Sequence, residues 1–202
     1  MTNERERFDR IDVADLILRE RLARDNRVWD SMAACYHPDS IVEVSWFRGS
    51  GAEFVAMTQK AVRPSAININ FHLMTPPVVD INGDRATSET PCTLRSFSIM
   101  KDVEISFQGF VRLFWRAQRD GDRWLLAGLR CLYLKDEIHG RNPGEEPVFD
   151  PEVLRGYRDS YRFTSANLAN LGISVGDDLP GNDRPELVEA LRTGERDWLA
   201  GA

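Results

Sequence analysis

The sequence has few of the residues that mark disulfide-rich, zinc-binding or membrane proteins. Its three cysteines, Cys35, Cys92 and Cys131, lie far apart in apolar surroundings and lack the paired spacing of zinc ligands. No apolar run approaches the roughly 20 residues that span a bilayer, and the charged first ten residues do not resemble a signal peptide. We therefore expect a reduced, cytoplasmic protein without a structural zinc site.

Basic patches and histidines are also scarce. The 202 residues carry a net charge of −6, with no lysine- or arginine-rich run and no basic patch interleaved with aromatics. We therefore expect neither nucleic acids nor membranes as partners. The chain has only three histidines and neither metal-ligand clusters nor phosphate-binding loops, so we expect no metal and no organic cofactor.

Hydrophobic residues make up 42% of the chain, enough for a full core in one domain with an extension. Helical periodicity predicts helices at residues 12–34, 52–61, 151–170 and 184–199. Alternating apolar residues predict strands at 41–47, 67–74, 78–81, 85–99, 103–116 and 124–135, with turns at 37–40, 82–84 and 120–121.

This order of elements indicates an α+β fold in which a long antiparallel sheet curls against helices and encloses a cavity. Residues 140–151 are typical of a loop, because glycine, proline and charged residues dominate them. We predict one domain at residues 1–138 and a partly helical C-terminal extension at 139–202. The extension is expected to pack on this domain or on a neighbouring subunit.

Asp25 lies in what the helical period indicates is a core-facing stripe, a position where a carboxylate is unusual. The stripe comprises Ile11, Leu18, Leu22, Asp25, Trp29 and Met32. An unpaired buried charge lowers the stability of the folded state by roughly several kcal/mol, so Asp25 needs a partner. The candidates are a histidine or an arginine.

His72 is the histidine of greatest interest. In the predicted strand 67–74 it shares a face with Asn68, Asn70 and Met74, while the other face is apolar (Ile67, Ile69, Phe71 and Leu73). An imidazole beside a buried carboxylate is a suitable general base near neutral pH. The alternative is that His72 faces solvent while Asp25 pairs with an arginine.

The other two histidines have weaker signals. His37 lies in the predicted turn before a strand, where local turn chemistry favours a structural role. His139 lies next to the loop at 140–151. Arg130 lies among leucines of a predicted strand, where it either anchors a substrate oxygen or neutralises a buried acid.

Aromatic residues at strand spacing are candidates for the lining of a small-molecule pocket. The candidate pocket residues are Trp29, Trp46, Phe47, Phe71, Gln108, Phe110 and Tyr133. Such aromatics are also common in plain hydrophobic cores. Gln108 and Arg112 alternate with Phe110, so that strand face lines either a pocket or the solvent.

Several segments, in order, resemble the SnoaL-like branch of the nuclear transport factor 2-like superfamily, in particular its dehydratase and dehydrochlorinase members. They are residues 11–25 (IDVADLILRERLARD), residues 29–44 (WDSMAACYHPDSIVEV), His72, and the hairpin strand that begins Asp122-Arg123-Trp124. The resemblance spans about residues 8–138 and implies a cone of curved antiparallel sheet wrapped by helices. It also implies a ligand pocket in the mouth of the cone.

The resemblance implies that Asp25 on the first helix and His72 on a following strand form a catalytic pair, with Arg130 as a pocket arginine. The tyrosines and second histidine of the scytalone dehydratase site have no convincing counterparts in this chain. We therefore expect a cofactor-independent lyase or isomerase acting on a small hydrophobic, cyclic molecule. The alternatives are a polyketide cyclase or hydrolase using the same pocket, and a non-catalytic binding or assembly module. The superfamily also implies a homodimer or homotrimer.

Overall fold

The computed structural model describes residues 4–62 and 69–201 of the chain. The helices are α1 (Glu4–Asp25), α2 (Trp29–Ala33), α3 (Gly51–Ala61), α4 (Pro151–Gly156), α5 (Arg162–Asn170) and α6 (Pro185–Ala200), with a 3₁₀ turn at Asp159–Tyr161. The strands are β1 (Tyr36–Val44), β2 (Phe47–Ser50), β3 (Ile69–Met74), β4 (Val78–Asn82), β5 (Arg85–Met100), β6 (Val103–Asp120) and β7 (Arg123–Gly140).

The seven strands form one curved, unclosed sheet in the order β2-β1-β7-β6-β5-β3, and β4 pairs with β5 beside β3. All pairings are antiparallel except that of β1 with β7, which is parallel. The predicted α+β class with a curved sheet and helices is confirmed. No helix within the described ranges is both long and apolar enough to cross a membrane.

The sheet has two faces with different coverings. On the inner face, residues of β5, β6 and β7 pack against Val13 and Ile17 of α1 in the main core. On the outer face, Phe114 and Leu132 pack against Leu191 of α6. The side chains alternate between these faces along each strand, so the register decides which residues meet.

Turn chemistry explains several element boundaries. Gly83 and Gly121 adopt left-handed φ values of 59° and 61°, and they connect the strands at the two turns that the sequence predicts. Helix α3 begins with a capping box: the Ser50 hydroxyl accepts from the Glu53 amide, and the Glu53 carboxylate accepts from the Ser50 amide. The prediction of a helix near 52–61 is therefore confirmed.

The prediction of one helix at 12–34 is wrong. Helix α1 ends at Asp25, and Arg27 then adopts a φ of 62°, which breaks the helix before the short α2. The predicted core-facing stripe is also wrong, because Ile11 and Leu22 are 62% and 64% exposed. The buried residues of α1 are instead Asp9, Val13, Ile17, Glu20, Arg21 and Ala23. Ion-paired residues occupy part of the inner face, and hydrophobic periodicity does not detect them.

Three further predictions differ from the structure. Residues 37–40 continue β1 rather than forming a turn, and the β1–β7 register shifts between Tyr36 and Ile41. The predicted strand at 41–47 is divided between β1 and β2, and the predicted helix at 151–170 is divided into α4, the 3₁₀ turn and α5. The strand predicted at 67–74 is present as β3, but Ile67 and Asn68 lie outside the described residues.

The C-terminal segment contacts both faces of the sheet. Tyr161 and Leu179 join the main core, where the Tyr161 ring packs on Tyr133 with 5.1 Å between ring centroids. Helix α6 covers the outer face and is tied to it by an ion pair between Glu195 and Arg116 at 2.8 Å. The division of the chain at residue 138 stays a prediction.

The observed orientation of α1 predicts that two substitutions of the same type have very different costs. Ile17 is fully buried and Ile11 is 62% exposed. We expect Ile17→Ala to lower the free energy of unfolding by about 2–5 kcal/mol, because it leaves a cavity in the core. Ile11→Ala should cost about 0.5 kcal/mol. Urea unfolding of both variants measures the difference, and equal costs would show that α1 is wrongly oriented.

Candidate active site

Asp25 and His72 meet where the end of α1 packs against β3. The His72 amide donates to Asp25 Oδ2 at 2.7 Å, and the His72 ring Nδ1 lies 2.7 Å from Asp25 Oδ1. The side chains of His72 and Asp25 are only 7% and 15% exposed. The alternative prediction, a solvent-facing His72, is therefore wrong.

The hydrogen bonds define the tautomer of His72. Asp25 accepts on both oxygens, so Nδ1 is the ring nitrogen that carries the proton. Nε2 then carries the lone pair of the ring, and this lone pair accepts a long hydrogen bond from Arg21 Nη1 at 3.5 Å. A histidine oriented in this way can take up a proton on its second nitrogen once that contact is released.

Arg21 is held in place by a buried network. It forms a two-point ion pair with Glu20, in which Nε lies 2.5 Å from Oε2 and Nη2 lies 2.7 Å from Oε1. The Tyr36 hydroxyl donates to the same carboxylate at 2.8 Å, and the guanidinium stacks on Trp115. Glu20 is fully buried, so this network fixes the side chain of Arg21 beside His72.

Arg24 is the second guanidinium at the site and is much less well paired. Its Nη1 lies 3.6 Å from Asp25 Oδ1, beyond hydrogen-bond distance. Its Nε is buried without a hydrogen-bond partner among the described residues. Arg24 is therefore a mostly buried cation whose charge is only loosely balanced.

These contacts shift the pKa values of the ionisable groups. Burial and the charge of Arg24, opposed by the hydrogen bond to Asp25, lower the pKa of His72 from 6.5 to about 3. Burial acts to raise the pKa of Asp25, but the hydrogen bonds from His72 outweigh it and hold that pKa below its usual value. Burial and repulsion by Arg21 lower the pKa of Arg24 to about 10. His72 is therefore neutral and Asp25 ionised at neutral pH.

Arg130 lies on the other face of the sheet and does not approach this pair. It pairs with Phe114 across β6 and β7, and its side chain contacts Glu43 at 2.8 Å and Glu195 at 3.6 Å. It lines a surface cavity of about 200 Å³ together with Arg116 and Trp198. Neither Asp25 nor His72 lines that cavity.

The candidate pocket residues are divided between the two faces. Trp29, Trp46, Phe47 and Tyr133 belong to or pack against the main core. The Tyr133 hydroxyl accepts a hydrogen bond from the Ser45 amide at 2.7 Å, so it is engaged in the structure. Phe71, Gln108 and Phe110 lie on the outer face, where Gln108 accepts from Arg95 and Phe71 packs near Phe97. These three side chains and the imidazole of His72 lie on opposite faces of the sheet.

Sequence reasoning missed Arg21, Arg24, Glu20 and Tyr36. A usable signal was present for Arg21, which precedes Asp25 by one helical turn and so lies on the same face of α1. Glu20 carries no such signal, because its burial depends on the ion pair with its neighbour. The part of the chain that the structure describes has no group of three or more His, Cys, Asp or Glu side chains arranged to hold a metal.

The lowered pKa of His72 predicts a pH dependence of stability. In the unfolded chain the ring titrates near 6.5, and in the folded protein near 3. Between these values the unfolded state binds more protons, so stability is lost as the pH falls from 6.5 towards 3. One proton contributes a slope of at most about 1.4 kcal/mol per pH unit.

We expect His72→Asn, which keeps a donor to Asp25 but cannot titrate, to flatten the dependence of the unfolding free energy on pH between 5 and 6. Urea unfolding at several pH values measures this slope. A slope in the variant as steep as in the wild type would contradict the neutral, buried state of His72.

Solved structures with this fold include proteins of distant sequence. A hexachlorocyclohexane dehydrochlorinase, LinA type 2, aligns with a TM-score of 0.54 and 12% identity, covering 71% of this chain and 95% of that one. A protein from Kribbella flavida aligns with a TM-score of 0.54 and 18% identity, covering 62% of this chain and 90% of its own. At these identities the likeness shows the fold alone.

Sequence relatives come from filamentous fungi. A PEP2-like protein from Fusarium vanettenii is 25% identical over 186 residues, covering 88% of this chain and 80% of that protein. Pea pathogenicity protein 2 from the same organism is 22% identical over 180 residues, covering 88% of this chain and 77% of its own. Residues 5–130 match the SnoaL-like domain family. This match includes α1, β3 and the Asp25–His72 pair, and the chain belongs to the SnoaL-like family.

Proposed function

We propose that the protein is a cofactor-independent lyase or isomerase in which His72 is the general base. The observation that carries this proposal is the Asp25–His72 pair, in which Asp25 fixes the ring and leaves its lone pair on Nε2. Asp25 would orient the imidazole and stabilise the imidazolium that forms when Nε2 accepts a proton. This pair is the arrangement that the family resemblance implies.

The proposed reaction begins when Nε2 takes a proton from a substrate carbon next to an activating group. In an elimination, the electrons of the C–H bond form a double bond, and the leaving group departs with the electrons of its bond to carbon. A halogen leaves as halide, whereas a hydroxyl leaves as hydroxide and would take the proton back from the His72 imidazolium to become water. In an isomerisation, the proton returns to another carbon. Both reactions pass through a state in which negative charge develops on the substrate.

Arg21 is placed to stabilise that negative charge. Its Nη1 lies 3.5 Å from Nε2, so a substrate atom beside the abstracted proton would lie close to both groups. Because Glu20 and Trp115 already fix the guanidinium, little reorganisation is needed when the charge develops. In this proposal Arg21 takes the role that the family resemblance implied for Arg130.

The two alternatives have less support. A non-catalytic module predicts that Asp25 and His72 do not converge or that side chains fill the cavity. The first condition is not met, because the two residues are hydrogen-bonded. A cyclase or hydrolase predicts further carboxylates around a bound water. Glu20 is a further buried carboxylate beside Arg21, but Arg21 and Tyr36 engage both of its oxygens.

We expect His72→Ala to lower kcat/KM by a factor of at least about 100 on any compound that the wild type turns over, because it removes the base. Asp25→Asn should also reduce turnover, because it no longer stabilises the imidazolium. The assay uses a panel of cyclic compounds that carry a hydroxyl or a halogen on the carbon next to the one that is deprotonated, including hexachlorocyclohexane. Alkene formation is followed by absorbance, and carbon deprotonation by deuterium uptake from heavy water. Unchanged turnover by His72→Ala would refute the proposal.

A matched pair of arginine substitutions tests the assignment of Arg21. We expect Arg21→Met to lower kcat strongly, because the donor beside Nε2 is lost, and Arg130→Met to retain near wild-type kcat/KM, because Arg130 lies on the outer face. Circular dichroism and urea unfolding of both variants serve as the control for folding. If Arg130→Met lost activity in a folded protein and Arg21→Met did not, the site would lie on the outer face.

A further inference from the structure

Arg24 is the group at this site whose interactions are least complete. Asp25 is its nearest counterion, but both Asp25 oxygens already accept hydrogen bonds from His72. The buried Nε of Arg24 has no hydrogen-bond partner among the described residues, although its side chain is only 15% exposed. A guanidinium in this state is a ready donor for an oxygen acceptor that enters the site.

Arg21 differs from Arg24 although both lie on α1 beside His72. Glu20 engages Arg21 at two points, and Trp115 covers its face. The charge of Arg21 is thus balanced by a close counterion before any ligand binds, whereas the charge of Arg24 is not. The asymmetry distinguishes Arg21, which is already paired within the protein, from Arg24, which retains donors for an entering anion.

A count of formal charges indicates the charge of the group that would pair with Arg24. Arg21, Arg24 and Asp25 act directly on His72. Glu20, Tyr36, Cys92 and Cys131 interact in turn with one or more of those charged groups. Burial raises the pKa values of the tyrosine and both thiols, so they are neutral. The two guanidiniums and two carboxylates cancel in number, but both oxygens of Asp25 are engaged by His72, so Arg24 is the buried charge without a close counterion of its own.

We propose that the substrate is a monoanionic carboxylic acid and that Arg24 binds its carboxylate. A planar carboxylate matches the paired donors of a guanidinium, and its negative charge would supply the close counterion that Arg24 lacks. This inference rests on the proposed function, since the carboxylic acid is the substrate of that reaction. It narrows the substrate from a small hydrophobic molecule to one with an acidic group.

The proposal also explains how a base with a low pKa would work. In the ligand-free site the two guanidiniums and burial disfavour the imidazolium. A carboxylate on Arg24 would offset the charge of Arg24, so the pKa of His72 would rise when the substrate binds. His72 would then become a better base only in the occupied site.

The test uses binding rather than turnover. Benzoate and cyclohexanecarboxylate are titrated into the protein at constant ionic strength, and benzamide and cyclohexanecarboxamide serve as neutral probes of the same shape. The pKa of His72 is followed by NMR of the labelled ring. We expect saturable binding of the carboxylates, with a rise in this pKa of about one unit or more, and no rise with the amides. Equal effects of acids and amides would overturn the proposal.

Arg24→Gln supplies the second measurement, with Arg19→Gln as its matched control. Arg19 lies on the same helix, but its side chain is 72% exposed and pairs with Asp15. We expect Arg24→Gln to weaken benzoate binding about tenfold or more and to raise the pKa of His72 without ligand, and Arg19→Gln to do neither. If Arg24→Gln bound benzoate as tightly as the wild type, the proposal would fail. If that variant did not fold, the comparison of acids with amides in the wild type would decide alone.

The failure of this inference can be told apart from failure of the proposed function. Turnover of neutral compounds that requires His72 but not Arg24 would reject the carboxylate and retain the general base. Carboxylate binding through Arg24, combined with full turnover by His72→Ala, would reject the general base and retain the anion site.

Discussion

The hydrogen bonds between Asp25 and His72 are the interaction on which the site depends. They join the last residue of α1 to the middle of β3, so they link the helical layer to the edge of the sheet. Asp25 accepts from both the backbone and the ring of His72, and this double contact fixes both the position and the tautomer of the imidazole. Without it, a mostly buried carboxylate would lack a close partner.

The site also shows how ion pairs and hydrogen bonds stabilise buried charges in this fold. Glu20 and Arg21 neutralise each other, with Tyr36 completing the hydrogen bonds of the carboxylate. Arg24 is the exception, since its nearest counterion, Asp25, lies 3.6 Å away and is already hydrogen-bonded to His72. Such an incompletely paired cation costs free energy of folding. Binding sites are common places for a cost of this kind, because a ligand can relieve it.

The fold class could be predicted from the sequence because strand alternation and turn residues are local signals. The turns at Gly83 and Gly121 and helix α3 illustrate this. The orientation of α1 could not be predicted from the sequence, because Ile11 and Leu22 are exposed while Glu20 and Arg21 are buried as a pair. Burial of an ion pair depends on contacts distant in sequence, which periodicity does not report.

Asp25 was identified for a partly mistaken reason. It does not continue an apolar stripe, and its burial follows from its position at the end of α1 beside β3. His72 was identified through the family resemblance, since its strand pattern alone allowed a solvent-facing ring. The apolar neighbours of Arg130 left its role open, and the family resemblance implied a place in the pocket. The bulge-containing register of β7 instead directs its side chain to the outer face.

The proposed chemistry requires a neutral His72 whose proton is on Nδ1 and whose lone pair is on Nε2. A long-range proton–nitrogen correlation spectrum of the labelled imidazole at pH 7 measures this most directly. The account predicts a neutral ring with the proton on Nδ1, and the loss of that fixed tautomer in Asp25→Ala. An imidazolium, or a ring with its proton on Nε2, would contradict it.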